Sequence, residues 1–109
     1  MDDNKEKGFI KYDNNKPAYE LLDSYAINEM VKVLTYGADK YYRFNWSKCK
    51  SMTRYFGATC RHLFAWLSGE DLDPESGFHH LSHAMCCLMF MMGQHKKYGA
   101  EADDREKHI

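Results

Sequence analysis

The chain has 109 residues, a length that suits one domain and leaves no room for a second. Hydrophobic residues make up 44% and charged residues 28%, which is typical of a globular protein and excludes a disordered or fibrous one. The formal net charge of −1 lacks the basic excess of proteins that wrap nucleic acid, so we expect no nucleic-acid polymer as a partner. We expect residues 1–109 to form a single domain with polar, flexible ends at 1–16 and 99–109.

The sequence carries no sign of export or membrane insertion. It begins MDDNKEKG, without the basic start and apolar run of a secretory signal, and no apolar stretch approaches about 18 residues. We therefore expect no membrane contact and a cytoplasmic location. Reduced cysteines fit that compartment, and Cys86 and Cys87 are adjacent within an apolar run.

The apolar pattern predicts an all-α fold, with three main helices after an irregular N-terminal segment. The first helix is expected at about 18–36, starting after Pro17 and ending before Gly37. The second is expected at about 52–68, where Ser51 has the residue type of a helix N-cap. Between them lies a basic aromatic loop that shows no convincing period.

The third helix is expected at about 74–97, with Asp73 as its cap and Pro74 in its first position. Its middle, residues 84–92, is apolar around the whole circumference. A helix on the surface of a small monomer cannot bury such a segment. We therefore expect a helical-bundle oligomer, a homodimer or larger.

Four acids lie within six positions of the loop from Gly69 to Gly77, which we call the acidic loop. Carboxylate oxygens are the ligands that Mg²⁺ prefers, so the loop predicts a Mg²⁺ or Mn²⁺ site. Its expected ligands are carboxylates of the acidic loop and of the first helix: Glu70, Asp71, Asp73 and Glu29. The alternative is that these acids are solvated, or favoured only by the dipole of a following helix.

Histidines flank the acidic loop on both sides. His79, His80 and His83 follow it within two helical turns, and His62 precedes it by about two turns. We take His62, His80 and His83 as candidate catalytic residues, acting as proton carriers, metal ligands or phosphate contacts. His83 and Cys87 also have a spacing that zinc could use, but there is no paired CxxC and core packing explains the cysteine better.

The basic aromatic segment is suited to an anionic ligand with a planar base. Between Lys32 and Arg61 the chain has seven basic residues and one acid. The candidate substrate-binding residues are cations, one amide and two aromatic rings: Arg43, Asn45, Lys48, Arg54, Arg61, Trp46 and Tyr42. The alternative is a solvated loop whose aromatic rings pack in the core. A nucleotide with its cation would use both the basic segment and the acidic loop.

Five short motifs carry a family resemblance: YGADKY (36–41), NW (45–46), RH (61–62), GEDLDPESG (69–77) and HLSHA (80–84). Over roughly residues 10–95 the chain resembles the phage-associated family named after the N-terminal domain of dATP/dGTP diphosphohydrolases. The resemblance implies hydrolysis of a purine deoxynucleoside triphosphate to its monophosphate and pyrophosphate.

That chemistry is similar to the all-α, MazG-like pyrophosphohydrolases, in which carboxylates from neighbouring helices hold Mg²⁺ for attack by water. Those relatives are typically dimers or larger. They usually present EExxE on one helix and ExxD on the next. Here the first helix offers Glu29 alone, and the ExxD pattern, Glu70 to Asp73, follows Gly69 in a loop.

Three functions are consistent with these features. The first is a metal-dependent pyrophosphohydrolase acting on a purine dNTP. The second is a non-catalytic phage protein that sequesters a cyclic nucleotide or an ADP-ribose-type defence signal, which the incomplete carboxylate set favours. The third is a helical interaction module whose apolar helix binds a partner.

Overall fold

The computed structural model describes residues 8–106, and within them the fold is all-α. Its three helices are α1 (Ser24–Lys40), α2 (Met52–Leu67) and α3 (His80–Tyr98). Three short 3-10 turns accompany them: Tyr19–Leu21, Asn45–Lys48 and Gly99–Glu101. The predicted fold class and number of main helices are confirmed. Of the predicted ends, residues 1–7 and 107–109 lie outside the described part.

Helix α3 is the centre of the fold, because both other helices pack on it. Helix α2 runs antiparallel to α3, so that Tyr55 meets Phe90 near one end and His62 meets His80 near the other. Helix α1 crosses α3 where the Cys86 thiol donates a hydrogen bond to the Met30 carbonyl. The core is small, and its buried apolar residues are Val33, Ala84, Cys86, Cys87 and Ala102.

Helix α1 begins later and ends later than the sequence predicts. The Asp23 carboxylate accepts a hydrogen bond of 2.9 Å from the Ala26 N–H and caps the helix there, six residues after the expected start. Gly37, expected to end the helix, lies within it with an ordinary helical φ. The helix continues to Lys40, and the Tyr41 N–H donates to the Gly37 carbonyl.

The expected start of the third helix at residue 74 is wrong. Asp73 caps a turn instead, because its carboxylate accepts from the Ser76 N–H at 2.9 Å and its carbonyl accepts from the Gly77 N–H at 2.7 Å. Gly77 then takes a φ of 78°, and an isolated bridge pairs Leu72 with His79. Helix α3 therefore begins at His80, and the acidic loop is a closed, hydrogen-bonded turn.

Helix α2 begins after Ser51 as predicted, but Ser51 makes no side-chain capping bond. The Asp104 carboxylate takes that role: it accepts from the Thr53 N–H at 2.9 Å and from the Thr53 and Ser51 hydroxyls. The Met52 N–H donates to the carbonyl of Ala102, which is fully buried. The described part of the C-terminal stretch, expected to be a flexible end, thus packs against the start of α2.

Hydrogen bonds hold the basic aromatic loop against the last turns of α3. The buried Gln94 amide donates to the Cys49 carbonyl at 3.1 Å, and the Tyr98 hydroxyl donates to the Ser47 carbonyl at 2.8 Å. Because α3 also follows the acidic loop, one helix fixes both segments. Within residues 8–106, no helix has the length and apolar character needed to cross a membrane.

Candidate active site

A wide cleft of about 890 Å³ lies between the end of α1, the basic aromatic loop, α2 and α3. This volume falls in the range of small-molecule sites. His62, His83 and Asp73 line one part of the cleft, and the cationic side chains of Arg43 and Arg54 line another. The fold therefore brings His62, His83, part of the acidic loop and the basic segment to one cavity, whereas the buried His80 does not line it.

Two histidine rings meet where α2 ends and α3 begins. The Nδ1 atoms of His62 and His80 are 2.8 Å apart, and His80 Nε2 lies 2.7 Å from a Glu70 carboxylate oxygen. Because a carboxylate only accepts, we assign the Nε2 hydrogen of His80 to this contact. His80 Nδ1 then carries a lone pair directed at His62. His80 is 3% exposed, so its ring is shielded from water, whereas the Glu70 side chain is half exposed.

His83 forms the second part of the histidine cluster. Its ring is stacked on His62, with centroids 4.5 Å apart and planes 9° from parallel. Its Nε2 lies 2.7 Å from the Ser76 hydroxyl and 3.9 Å from an Asp73 carboxylate oxygen. The turn that Asp73 caps therefore also orients His83.

The protonation states suit binding of a cation. Burial lowers the pKa of His62 to about 4, and the neighbouring His83 and His80 rings add to this shift. Burial also lowers the pKa of His83 against the opposing effect of Asp73. Burial alone would raise the pKa of Asp73, but hydrogen bonds from Ser76 outweigh it and the net pKa is lowered. Near neutral pH the imidazoles of His62 and His83 are therefore neutral, and the Asp73 carboxylate beside them is anionic.

Three of the side chains stand close enough to share one metal ion. His62, Asp73 and His80 each offer a ligand atom, and these atoms all lie within 4.8 Å of one another. Both residue types are common ligands of divalent cations. The sequence placed a carboxylate site here, whereas the structure brings together two imidazoles and one carboxylate.

The other predicted metal ligands are placed differently. Glu70 contacts His80, while the Asp71 carbonyl accepts from the His80 N–H at 2.9 Å and the residue itself is exposed. Glu29 forms an ion pair with Lys32 at 2.9 Å on α1 and does not line the cleft. The structure therefore keeps Asp73 with the histidines and leaves Glu29 outside.

The predicted substrate-binding residues divide into two groups. Those lining the cleft are Tyr42, Arg43, Asn45, Trp46 and Arg54. Lys48 and Arg61 do not line it. The Lys48 ammonium lies 4.8 Å from the centre of the Tyr42 ring instead. The cations available to a ligand inside the cleft thus include Arg43 and Arg54.

Trp46 has a structural partner that the sequence did not reveal. Its indole stacks on Phe90 at 5.1 Å and 14°, and it lies across Gly93, where an added Cβ would come within 2.6 Å of the ring. Tyr41 and Tyr42 are 59% and 48% exposed. These two tyrosines are freer than Trp46 to stack on a base.

Sequence reasoning missed a cross-connection between the end of α1 and the acidic loop. The Lys40 ammonium forms an ion pair with the Glu75 carboxylate, and both residues line the cleft. Ser76, which contacts Asp73 and His83, was also not singled out. The motif YGADKY contains Lys40, but its partner lies 35 residues away and only the fold shows the contact.

Comparison with known proteins shows to which family the chain belongs. Residues 6–105 match the family described as dATP/dGTP diphosphohydrolase, N-terminal. The chain belongs to this family. It is also 38% identical over 82 residues to a protein of Salmonella phage PMBT28 named dATP/dGTP diphosphohydrolase. That alignment covers 75% of this chain and 28% of the phage protein. No solved structure matches significantly.

The family match extends over almost all described residues and includes the whole cleft. The predicted family is therefore confirmed. The chain thus matches less than a third of the length of that phage protein.

Proposed function

We propose that the protein hydrolyses a purine deoxynucleoside triphosphate to the monophosphate and pyrophosphate. The observation that carries this proposal is the cleft itself, in which a cluster of histidines and a carboxylate faces the same cavity as two arginines. Family membership supports the substrate class, because the related phage protein is named a dATP/dGTP diphosphohydrolase.

The basic part of the cleft would bind the triphosphate. Arg43 and Arg54 line the cavity and offer planar guanidinium groups that can form paired hydrogen bonds to phosphate oxygens. Asn45 can donate to and accept from a base edge or the sugar. Tyr41 or Tyr42 would stack on the purine, since Trp46 is already stacked on Phe90.

The histidine part of the cleft would hold a divalent cation that lowers the pKa of bound water and neutralises phosphate charge. The ligand atoms that fit are those of His62, Asp73 and His80. His83, neutral and hydrogen-bonded to Ser76, would accept a proton from the attacking water. Glu70 holds the His80 ring in position.

A second copy of the chain would cover apolar surface that one copy leaves exposed. The accessible surface is 8687 Å² for a mass of 12.8 kDa, whereas a compact monomer of this mass exposes about 6300 Å². Exposed apolar side chains recur at helical spacing on α2 and α3. They are Phe56, Leu63 and Leu67, and Leu81, Leu88 and Met92. A homodimer or larger assembly would bury these stripes.

The direct test is incubation of pure protein with each dNTP and Mg²⁺ or Mn²⁺, followed by measurement of pyrophosphate. We expect release from dATP or dGTP. Replacing Arg54 by Gln should raise KM roughly 10- to 100-fold, because a hydrogen bond to a charged group contributes about 1.5–3 kcal/mol. Lys96→Gln, on the exposed side of α3, is the matched control. Absence of pyrophosphate from every dNTP would refute the proposal.

One observation favours a second candidate, a protein that binds its nucleotide without hydrolysis. Glu29 pairs with Lys32 and lies outside the cleft, so α1 supplies no acidic residue from its middle to the site. A protein that only sequesters a cyclic nucleotide or an ADP-ribose-type signal would need the basic and aromatic residues for binding and no metal ligands. Recovery of intact ligand from a saturated complex would support it, and turnover would exclude it for that ligand.

A further inference from the structure

We infer that His62, Asp73 and His80 form a binding site for a first-row transition-metal ion, with Glu70 as an outer partner of His80. The inference deepens the proposed function, since it names the class of cation at the same site. It concerns ligand chemistry, however, and can be tested without any nucleotide.

The spacing of the ligand atoms supports this inference. The two Nδ1 atoms are 2.8 Å apart, and the three ligand atoms lie within 4.8 Å of one another. Ligands bound to one ion at about 2.1 Å are roughly 3 to 4.2 Å apart, so changes of about an ångström would bring all three into range. Side-chain rotation on the ends of two packed helices and a closed turn can supply such a change.

The contacts around the three residues are those of a supported metal site. His80 directs Nε2 at the Glu70 carboxylate, 2.7 Å away, which leaves Nδ1 as the atom facing His62. Metal-bound histidines usually donate their other ring N–H to a carboxylate in this way, which fixes the tautomer and raises ligand basicity. Asp73 is held by the Ser76 N–H. Two of the three proposed ligands, His80 and Asp73, thus have their orientation fixed by neighbouring groups.

The donor set distinguishes between cations. Mg²⁺ prefers oxygen ligands in octahedral geometry and retains several waters, whereas imidazole suits Zn²⁺, Fe²⁺, Co²⁺ and Ni²⁺. Two nitrogen ligands and one oxygen ligand therefore favour the transition metals. His80 is 3% exposed, so at least one ligand is withdrawn from competing water. Three protein ligands would leave further coordination positions open to water or phosphate oxygen.

The experiment uses metal-free full-length protein titrated with Co²⁺, monitored by visible absorption, and with Zn²⁺, monitored by calorimetry. We expect one ion per chain, and a large molar excess of Mg²⁺ should not displace it. His62→Gln, Asp73→Asn and His80→Gln should each weaken binding at least about tenfold. Glu70→Gln should weaken it roughly 10- to 100-fold through its effect on His80. His95→Gln, an exposed histidine on the same helix, is the matched control and should bind as the unchanged protein does.

Circular dichroism and the melting temperature without metal show whether each variant is folded. Only folded variants are compared, and Glu70→Gln, whose side chain is half exposed, keeps the test available if the buried substitutions do not fold. Absence of a one-to-one Co²⁺ complex, or equal affinity in His95→Gln and the folded cluster variants, overturns the inference.

The outcome separates this inference from the proposed function. If Co²⁺ does not bind but Mg²⁺ supports pyrophosphate release, the function stands and the site assignment fails. If Co²⁺ and Zn²⁺ bind with the expected losses but no dNTP is hydrolysed with any metal, the site stands and the hydrolase proposal fails.

Discussion

Gly93 is a position where one methyl group decides how the wall of the cleft packs. A Cβ at Gly93 would come within 2.6 Å of two atoms of the Trp46 ring, which is stacked on Phe90. At Gly57, also inside a helix, the nearest atom to an added Cβ is the end of the flexible Arg61 side chain at 3.4 Å. Both glycines therefore destabilise their helix relative to alanine, but only at Gly93 would an added methyl group collide with a ring.

We expect Gly93→Ala to destabilise the protein by about 1–3 kcal/mol, because the indole must leave its position on Phe90. Gly57→Ala should instead stabilise it by about 0.5–1 kcal/mol through helix propensity. Urea unfolding followed by circular dichroism measures both. A gain in stability from both substitutions would show that Trp46 moves aside freely, contrary to this account of the cleft wall.

Several site residues could be anticipated from residue types alone, while their roles could not. The pattern of histidines around the acidic loop drew attention to His62, His80 and His83, which the fold places together. Trp46 was expected to stack on a base, but its partner Phe90 lies 44 positions away. The Lys40 and Glu75 ion pair is equally non-local. Such contacts depend on how helices cross, which local patterns do not encode.

The first turn of α2 is stabilised by hydrogen bonds with the C-terminal residues Ala102 and Asp104. Hydrogen bonds from Ser51 and Thr53 lower the pKa of Asp104 to about 2. Because this pKa lies below the ordinary 3.8, the carboxylate stabilises the folded state above pH 3.8 and loses this effect as the pH falls toward 2. The stabilisation by this cap is therefore fully present at neutral pH, and it changes with pH only in acidic solution.

Asp104→Asn should lower the melting temperature at pH 7 by a few degrees. The difference from the unchanged protein should narrow as the pH is lowered below about 4, because both proteins then lack the capping carboxylate. Glu20→Gln, at an exposed carboxylate outside the three helices, is the control. A melting-temperature difference that stays constant across this pH range would show that Asp104 acts through its shape and not its charge.

The starts of α2 and α3 show which helix boundaries the local sequence predicts and which it does not. The existence of three helices and the start of α2 followed from apolar spacing and Ser51. The start of α3 did not, because an Asp-Pro pair suits the first turn of a helix and also a closed turn. The contacts of Asp73 with Ser76 and Gly77 favour the turn and were not visible in the pattern.

The molecule as a whole is too open for an isolated domain of its size. Its radius of gyration is 18.6 Å, whereas a compact domain of about 100 residues has roughly 13 Å. Residues 8–25 are all exposed and account for part of the difference. The exposed apolar stripes on α2 and α3 contribute further surface, which a second copy of the chain could bury.

We therefore expect light scattering after size exclusion to give at least twice the chain mass of 12.8 kDa. Replacing Leu88 and Met92 together by Glu should reduce the assembly to monomers or lower its melting temperature strongly, because charged residues would lie in the buried stripe. Tyr19→Glu, at an exposed aromatic outside the stripes, should leave the mass unchanged. A monomeric mass for the unchanged protein would contradict the predicted oligomer.

The hydrogen bonds of Ala102 and Asp104 with the first turn of α2 also determine the best place for an attachment. A tag or fused domain joined after residue 106 would leave the molecule beside Thr53, which lies about 14 Å along α2 from His62. The proposed metal ligands lie near the opposite end of the α2 and α3 hairpin. Immobilisation through the C-terminus should therefore keep the support away from the histidine part of the cleft.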